Sequence, residues 1–515
     1  MAIRGEDIQY GPWTGGVWYS RPEEDVANDE ISSMENCRIQ ASGAVEKRLG
    51  TASYKDAANI SLDPTMTMCA EFIVPPSTTH VVAVVGTAIY KYSSGWSAIT
   101  GSVTITAADD NTFEWAVDEG NGVIMATNGV NVPWKWTGTG NAAVVDVDSR
   151  FDRVDHVAHW DNRVWWGSTG TDYDRLWFTD IADINTIGAT SFYQFGSPIT
   201  ALVSTRNALS VHTTAGIYTM VPTGNSQIPY QQQQRTSRAS KNGRALVVLP
   251  GDIQLMLRDD GIYSWDGGDD IEKMSFNFDI GYWPDLVTSS LGQSFAVYYP
   301  LEAEAWFWVP HGTGQTDMNH IIIYSDRHEQ WFGPYTGSGS YFTRNCAALI
   351  DQKPHAGTLN GSGDIGGKLE DHAPANTYND DDDTTNGIAI RSYFRTGATA
   401  PTSSAERIRW LHNRTYYDAT GNYNITVNQE SSGVSGTTET INVAGGGCTL
   451  DVDKLDETTL GTVRMLAQDT DLSEYDPHTS LKFTNNSSGE FFRIRRCHPV
   501  YKVIGRKRRV KAGVS

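Results

Sequence analysis

The stretch ALVVLPGDIQLMLRDDGIYSWDG, residues 245–267, holds three short apolar runs separated by Pro250-Gly251-Asp252 and by Arg258-Asp259-Asp260-Gly261. Gly, Asp and Pro supply the backbone angles that reverse a chain, so short apolar runs between them read as antiparallel strands joined by tight turns. The same meander recurs on both sides. Before it come 81–85 with 88–92 and 96–99, then 122–127 with 133–136, then 157–160 with 163–166 and 175–180, then 199–202 with 208–211 and 216–219. After it come 305–309 with 321–324 and 330–332, and a last candidate unit at 346–350 with 367–369. A repeat of about 40 to 50 residues is the length of a four-stranded blade. The fold class expected is therefore all-β: a β-propeller of six to seven blades across residues 66–375. The aromatics of Ala88-Ile89-Tyr90, Gly216-Ile217-Tyr218 and Gly261-Ile262-Tyr263 are expected between blades, and most other aromatics in the core.

Outside the repeats the composition changes. Residues 1–65 are polar and irregular and read as an N-terminal arm with its first strands. The acidic run within 376–386, which includes Asp380 to Asp383, reads as a solvated linker or loop. It lacks the alternation and distal Glu of a calcium-binding loop, so no calcium is assigned to it. Residues 387–504 carry strand-like runs and several arginines and read as a β-sandwich-like domain, followed by a basic tail, 505–515, that contains Arg506, Lys507, Arg508 and Arg509.

The chain has 515 residues, a formal net charge of −21 and 11% aromatic residues. So acidic a surface disfavours a protein that grips duplex DNA, but suits one past which DNA slides. The basic tail could touch phosphates, yet docking on an acidic neighbouring subunit is the better reading of one short tail. Five cysteines without a CxxC pair fit reduced core thiols rather than a disulfide or zinc framework. No run approaches the length of a membrane span, and the N-terminus lacks an apolar signal core, so neither export by a signal peptide nor membrane insertion is expected.

Catalytic motifs fail on context. Residues 361–366, GSGDIG, have the form of a dinucleotide loop but sit between no strand and helix. Ser325-Asp326 with Trp331 matches only part of an Asp-box turn. His156 and His159, three apart on a strand, point to opposite faces and make a poor ligand pair. No catalytic residue, cofactor or metal is assigned, and the protein is expected not to be an enzyme.

One ordered set of short elements is more specific. Gly15-Gly16-Val17 is followed by Arg21-Pro22-Glu23, by Met34-Glu35-Asn36, and by Gly43-Ala44-Val45-Glu46-Lys47-Arg48-Leu49-Gly50-Thr51. This order resembles the opening of the tail hub, nozzle and DNA-stabilisation proteins of short-tailed bacteriophages, with Leu49 where that family usually has Pro. The resemblance implies a structural virion protein, made in the host cytoplasm and located in the tail, assembled as a homo-oligomeric ring or tube, with a hexamer favoured. Its partners would be adaptor or portal-proximal tail proteins and other tail components, with double-stranded DNA passing through the lumen without sequence-specific binding. Arg21, Glu23, Lys47, Arg48, Arg506, Lys507, Arg508 and Arg509 are the candidate subunit contacts. The alternative is a propeller that binds a host glycan or receptor through Trp134, Trp136, Trp165 and Trp166, although their alternation with apolar residues favours burial. A propeller glycosidase ranks behind both.

Overall fold

In a computed structural model of the chain, the 245–267 stretch forms strands Leu246–Val248, Gln254–Arg258 and Gly261–Trp265, each antiparallel to the next, with Glu272–Lys273 as the fourth. The structure describes residues 6–54, 65–145, 151–225, 228–337, 342–359, 367–375, 377–380, 387–400, 406–418, 420–421, 423–431, 434–443, 465–472 and 478–506. Among the described residues seven such four-stranded antiparallel sheets follow one another, so the repeats build a β-propeller of seven blades. Their first strands are Met66–Val74, Glu114–Asp118, Val154–Trp160, Ile199–Ser204, Leu246–Val248, Phe295–Tyr299 and Arg344–Ile350.

The blades cohere through apolar layers between neighbours. Successive residues of a strand face opposite sides of its sheet, and the Trp165-Trp166 pair uses both. Trp165 packs with Trp160, Phe178 and Tyr230 toward blade 4, and Trp166 joins Trp177, Phe151 and Met125 toward blade 2. Trp134 and Trp136, two apart, share the layer between blades 1 and 2. All four tryptophans are fully buried. Tyr263 is buried between blades 4 and 5, while Tyr90 and Tyr218 pack at the margins of their layers.

The ring closes with a strand from far away. Blade 7 takes its outermost strand, Ala52–Ser53, from ahead of blade 1, with Glu370 opposite Ser53 and Asp371 opposite Ala52. Cys69 of blade 1 and Cys346 of blade 7 lie side by side across the same closure, Sγ to Sγ 3.8 Å. Cys37, Cys69, Cys346 and Cys497 are all buried free thiols.

The segment read as an N-terminal arm is instead part of the second domain. One of its sheets runs in the order Cys37–Ile39, Val45–Lys47, Arg493–Arg506, Glu406–Asp418, Met465–Asp471, with Glu6–Asp7 also paired to Arg493–Arg506. The other runs Ile31–Glu35, Ser392–Thr396, Ser480–Asn485, Asn424–Ser431, Val434–Asn442. The reason is hydrophobic: Ile31, Met34, Cys37, Ile39 and Val45 are buried in one cluster with Phe394, Trp410, Ile425, Phe483 and Ile494. The propeller is thus an insertion between the first and last strands of a β-sandwich. The acidic stretch also departs from expectation. Asn379–Asp380 pairs with Ile388–Ala389 as a hairpin, and Asp380 is buried; residues 381–386 lie outside the described ones.

Candidate functional site: the seam between propeller and sandwich

The seam is built by the short elements of residues 15–51. Gly16 has φ +74°, and a Cβ there would stand 2.8 Å from the Trp331 carbonyl oxygen. Only glycine takes that conformation without cost and lets the backbones approach so closely. Val17 N–H then donates to that carbonyl of blade 6 at 2.9 Å, while the Gly16 carbonyl accepts from Ile31 N–H, also at 2.9 Å. This strap hydrogen-bonds a propeller strand on one side and a sandwich strand on the other.

Asn36 is the single residue between Ile31–Glu35 and Cys37–Ile39, where the chain leaves one sandwich sheet for the other. Its φ of +52° is one that Asn tolerates better than most side chains. Its side-chain oxygen accepts from Arg48 Nε and from Thr336 N–H, both at 2.7 Å. Its amide nitrogen donates to the Arg391 carbonyl at 2.7 Å and to Thr336 Oγ1 at 3.0 Å. The side chain is saturated.

Arg48 is 2% exposed and spends every donor. Nη1 and Nη2 grip the Asp380 carboxylate at 2.7 and 2.6 Å. Nη1 also donates to the Leu49 carbonyl and Nη2 to the Thr336 carbonyl, at 2.9 and 2.8 Å. Sandwich, blade 6 and the acidic hairpin meet on one guanidinium. Gly50 lets the hairpin in: a Cβ there would overlap the Asn379 carbonyl oxygen at 1.8 Å.

A second charge cluster is centred on Arg38 of strand Cys37–Ile39. Arg38 donates from Nε and Nη2 to Glu304 of blade 6 at 2.8 and 2.6 Å and also reaches Glu302. Burial pushes the Glu304 pKa up, and Arg38 together with Trp306 Nε1–H at 2.9 Å opposes the shift. Behind it, Arg493 bridges Glu46 and Asp418.

The expectation that Lys47 and Arg48 are subunit contacts is corrected here. Both are buried within their own chain, because Lys47 lies on strand Val45–Lys47 inside the sandwich and Arg48, the next residue, is covered by the acidic hairpin and blade 6. Lys47 is 0% exposed, and its Nζ donates to Asn485 Oδ1 at 2.9 Å and to the Ser487 carbonyl at 3.1 Å. Burial first, and then the Arg48 charge, pull its pKa from 10.5 down to about 8. Arg21 and Glu23 stay near the surface with partners of their own. Arg21 lies 3.4 Å over the Trp18 ring and pairs with Glu30 at 3.0 Å, and Glu23 pairs with Arg395. Arg506 ends strand Arg493–Arg506 opposite Glu406, and Lys507, Arg508 and Arg509 lie outside the described residues.

His156 and His159 each face a carboxylate of the neighbouring blade, Glu114 and Asp118, at 3.0 and 3.7 Å. Residues 361–366 lie outside the described ones. Among the described residues no group of three or more His, Cys, Asp or Glu is placed to hold a metal ion, and no helix is long and apolar enough to cross a membrane. Sequence reasoning missed Glu304 and Asp380. Glu304 had a signal, a carboxylate at the head of the apolar run Glu304–Val309, where burial demands a partner.

No family model matches the sequence, and no curated protein does. Solved structures do. The chain is similar to BamB from Moraxella catarrhalis at 11% identity, over 64% of this chain and 97% of that one, with a TM-score of 0.39. It is similar to the WD40 β-propeller domain of Doa1 at 10% identity, over 63% of this chain and 96% of that one, again with a TM-score of 0.39. The likeness is one of fold.

The seam's buried charges can be tested directly. Asp380→Asn leaves the Arg48 charge buried without its counter-ion, and breaking such a pair costs about 3–5 kcal/mol. Urea unfolding should register that loss, and a change under about 1 kcal/mol, a tenth or so of the stability of an ordinary domain, would show that the pair does not hold the seam. Lys47 binds its proton less tightly when folded than when unfolded, so its contribution to stability rises with pH between about 8 and 10.5 and is flat below. Urea titrations of the wild type and Lys47→Met at several pH values should show their stability difference moving in the wild type's favour across that window; a constant difference would contradict the burial of a charged Lys47.

Proposed function

We propose that this chain is a structural subunit of a bacteriophage tail, a hub or nozzle protein whose copies form a ring or tube through which the genome is retained and then ejected. The observation that carries the reading is that Gly16, Asn36, Arg48 and Gly50, members of the ordered set that resembles the tail hub and nozzle family, each make a specific contact at the seam. A free N-terminal arm has no reason to require these residues. A motif that welds a propeller to a sandwich does.

The physical role that suits such a body is to transmit force. A subunit that passes force between neighbours needs domains that do not hinge on each other, and the continuous core and buried ion pairs at the seam supply that rigidity. The charge of −21 suits a lumen that repels DNA phosphates and lets the duplex slide. Strand Arg493–Arg506 carries exposed Val503 and Ile504 and leads into the basic tail, which suits docking on an acidic second copy. Six copies, a virion location and adaptor or portal-proximal neighbours belong to the same proposal. The glycan-binding alternative gains nothing from Trp134, Trp136, Trp165 and Trp166, all of which are buried between blades.

Light scattering of the purified protein, with negative-stain imaging of the species found, tests the proposal. A ring with a hole wide enough for duplex DNA is expected, alone or with the neighbouring tail proteins. A monomer that stays monomeric beside those partners would overturn it.

A further inference from the structure

The axis of the propeller is a cavity of about 360 Å³ bordered by the first strands of all seven blades. Its wall mixes polar surface with apolar side chains such as Val157, Leu202, Val247 and Ala348. Two ionisable groups stand out in it, Glu114 from blade 2 and Arg244 from the turn that opens blade 5. Glu114 reaches across the axis: a Cβ on Gly243 would lie 2.6 Å from its Oε1.

His156 of blade 3 neutralises Glu114. Its Nδ1 lies 3.0 Å from Glu114 Oε2 and its Nε2 lies 3.2 Å from the Ile199 carbonyl oxygen. Both ring nitrogens thus face acceptors, and only the doubly protonated imidazolium donates from both. Burial opposes that charge, but the Glu114 carboxylate, helped by Asp155, outweighs it and raises the His156 pKa. His212, the other imidazole felt by this group, is uncharged at neutral pH, since burial takes its pKa down to about 4 against the pull of its Gln254 hydrogen bond.

Arg244 has no such partner. Its Nη1 is buried without a hydrogen bond, and its Nη2 makes one long contact, 3.4 Å, to the Gly292 carbonyl. Among the described residues no carboxylate forms an ion pair with it, and Glu114, in the same cavity, only attracts it from a distance. Burial lowers its pKa to about 10 against the attraction of Glu114, which leaves it charged at neutral pH. With Glu114 balanced by His156, the cavity retains one uncompensated positive charge and one buried donor that lacks an acceptor. A buried donor left unmade is costly, and an arginine fork fits the paired oxygens of a carboxylate or phosphate. The cavity is of the size that holds a small molecule.

We propose that the axial cavity is a binding site for a small oxyanion, a carboxylate or phosphate group, held by Arg244 with Glu114 and His156 as its neutralised flank. The site belongs to the propeller alone and does not depend on how the chain assembles.

Isothermal titration calorimetry of the full chain with inorganic phosphate and, separately, with acetate, each at ionic strength matched with chloride, tests it and separates the two sources. One saturable site per chain is expected for at least one of them, weakened about ten-fold or more in Arg244→Gln, as loss of a charge-assisted hydrogen bond requires. Absence of saturable binding of both anions to the wild type would overturn the proposal, as would equal binding by a folded Arg244→Gln. Should that variant not fold, wild-type crystals soaked in selenate decide the matter: an anomalous peak beside Arg244 Nη1 supports the site, and an empty axis refutes it.

Discussion

The bidentate grip of Arg48 on Asp380 governs how propeller, sandwich and acidic hairpin sit together. Two charges taken out of water are favourable only when their remaining donors and acceptors are met, because the desolvation penalty rivals the Coulomb gain. Here the guanidinium places its N–H groups on Asp380, Asn36, Thr336 and Leu49. These partners come from the hairpin, the sandwich and blade 6, so the penalty is met only when all three are in place. Such a pair contributes less to raw stability than to specificity of arrangement, since apolar replacements could pack the same space but would not fix three elements in one register.

Around that pair the chain is threaded in a way that couples its two domains. The first strands belong to the sandwich, the next to the last blade, then seven blades follow in order, and the remainder completes the sandwich. Blade 7 cannot be completed without Ala52–Ser53, and that strand is reached directly from Lys47 and Arg48. The apolar core runs on across the seam: Trp331 and Phe332 of blade 6 share one cluster with Val17, Ile31 and Met34.

The blades are legible in the sequence because their signals are local. Apolar runs of period two, closed by Gly, Asp or Pro, declare each strand and its turn within a few residues, and blade length follows from the repeat. The closing strand is not legible, since two residues, Ala52 and Ser53, carry no periodic pattern. Nor is the partnership of Ile31–Glu35 with Ser392–Thr396, because pairing between segments so far apart in the chain leaves no trace in either alone. The charges of Lys47 and Arg48 point to the surface, the ordinary fate of such side chains. Their burial depends on acceptors, Asn485 and Asp380, that only the fold brings near. Gly16 and Asn36 are visible as members of an ordered motif, but the close approach and positive φ that call for them emerge only in three dimensions.

If the seam makes one body of two domains, propeller and sandwich cannot unfold separately. Differential scanning calorimetry of the intact chain puts this to the test. A single cooperative transition, with both domains losing structure together, is the predicted result; two resolved transitions, one for each domain, would contradict the account.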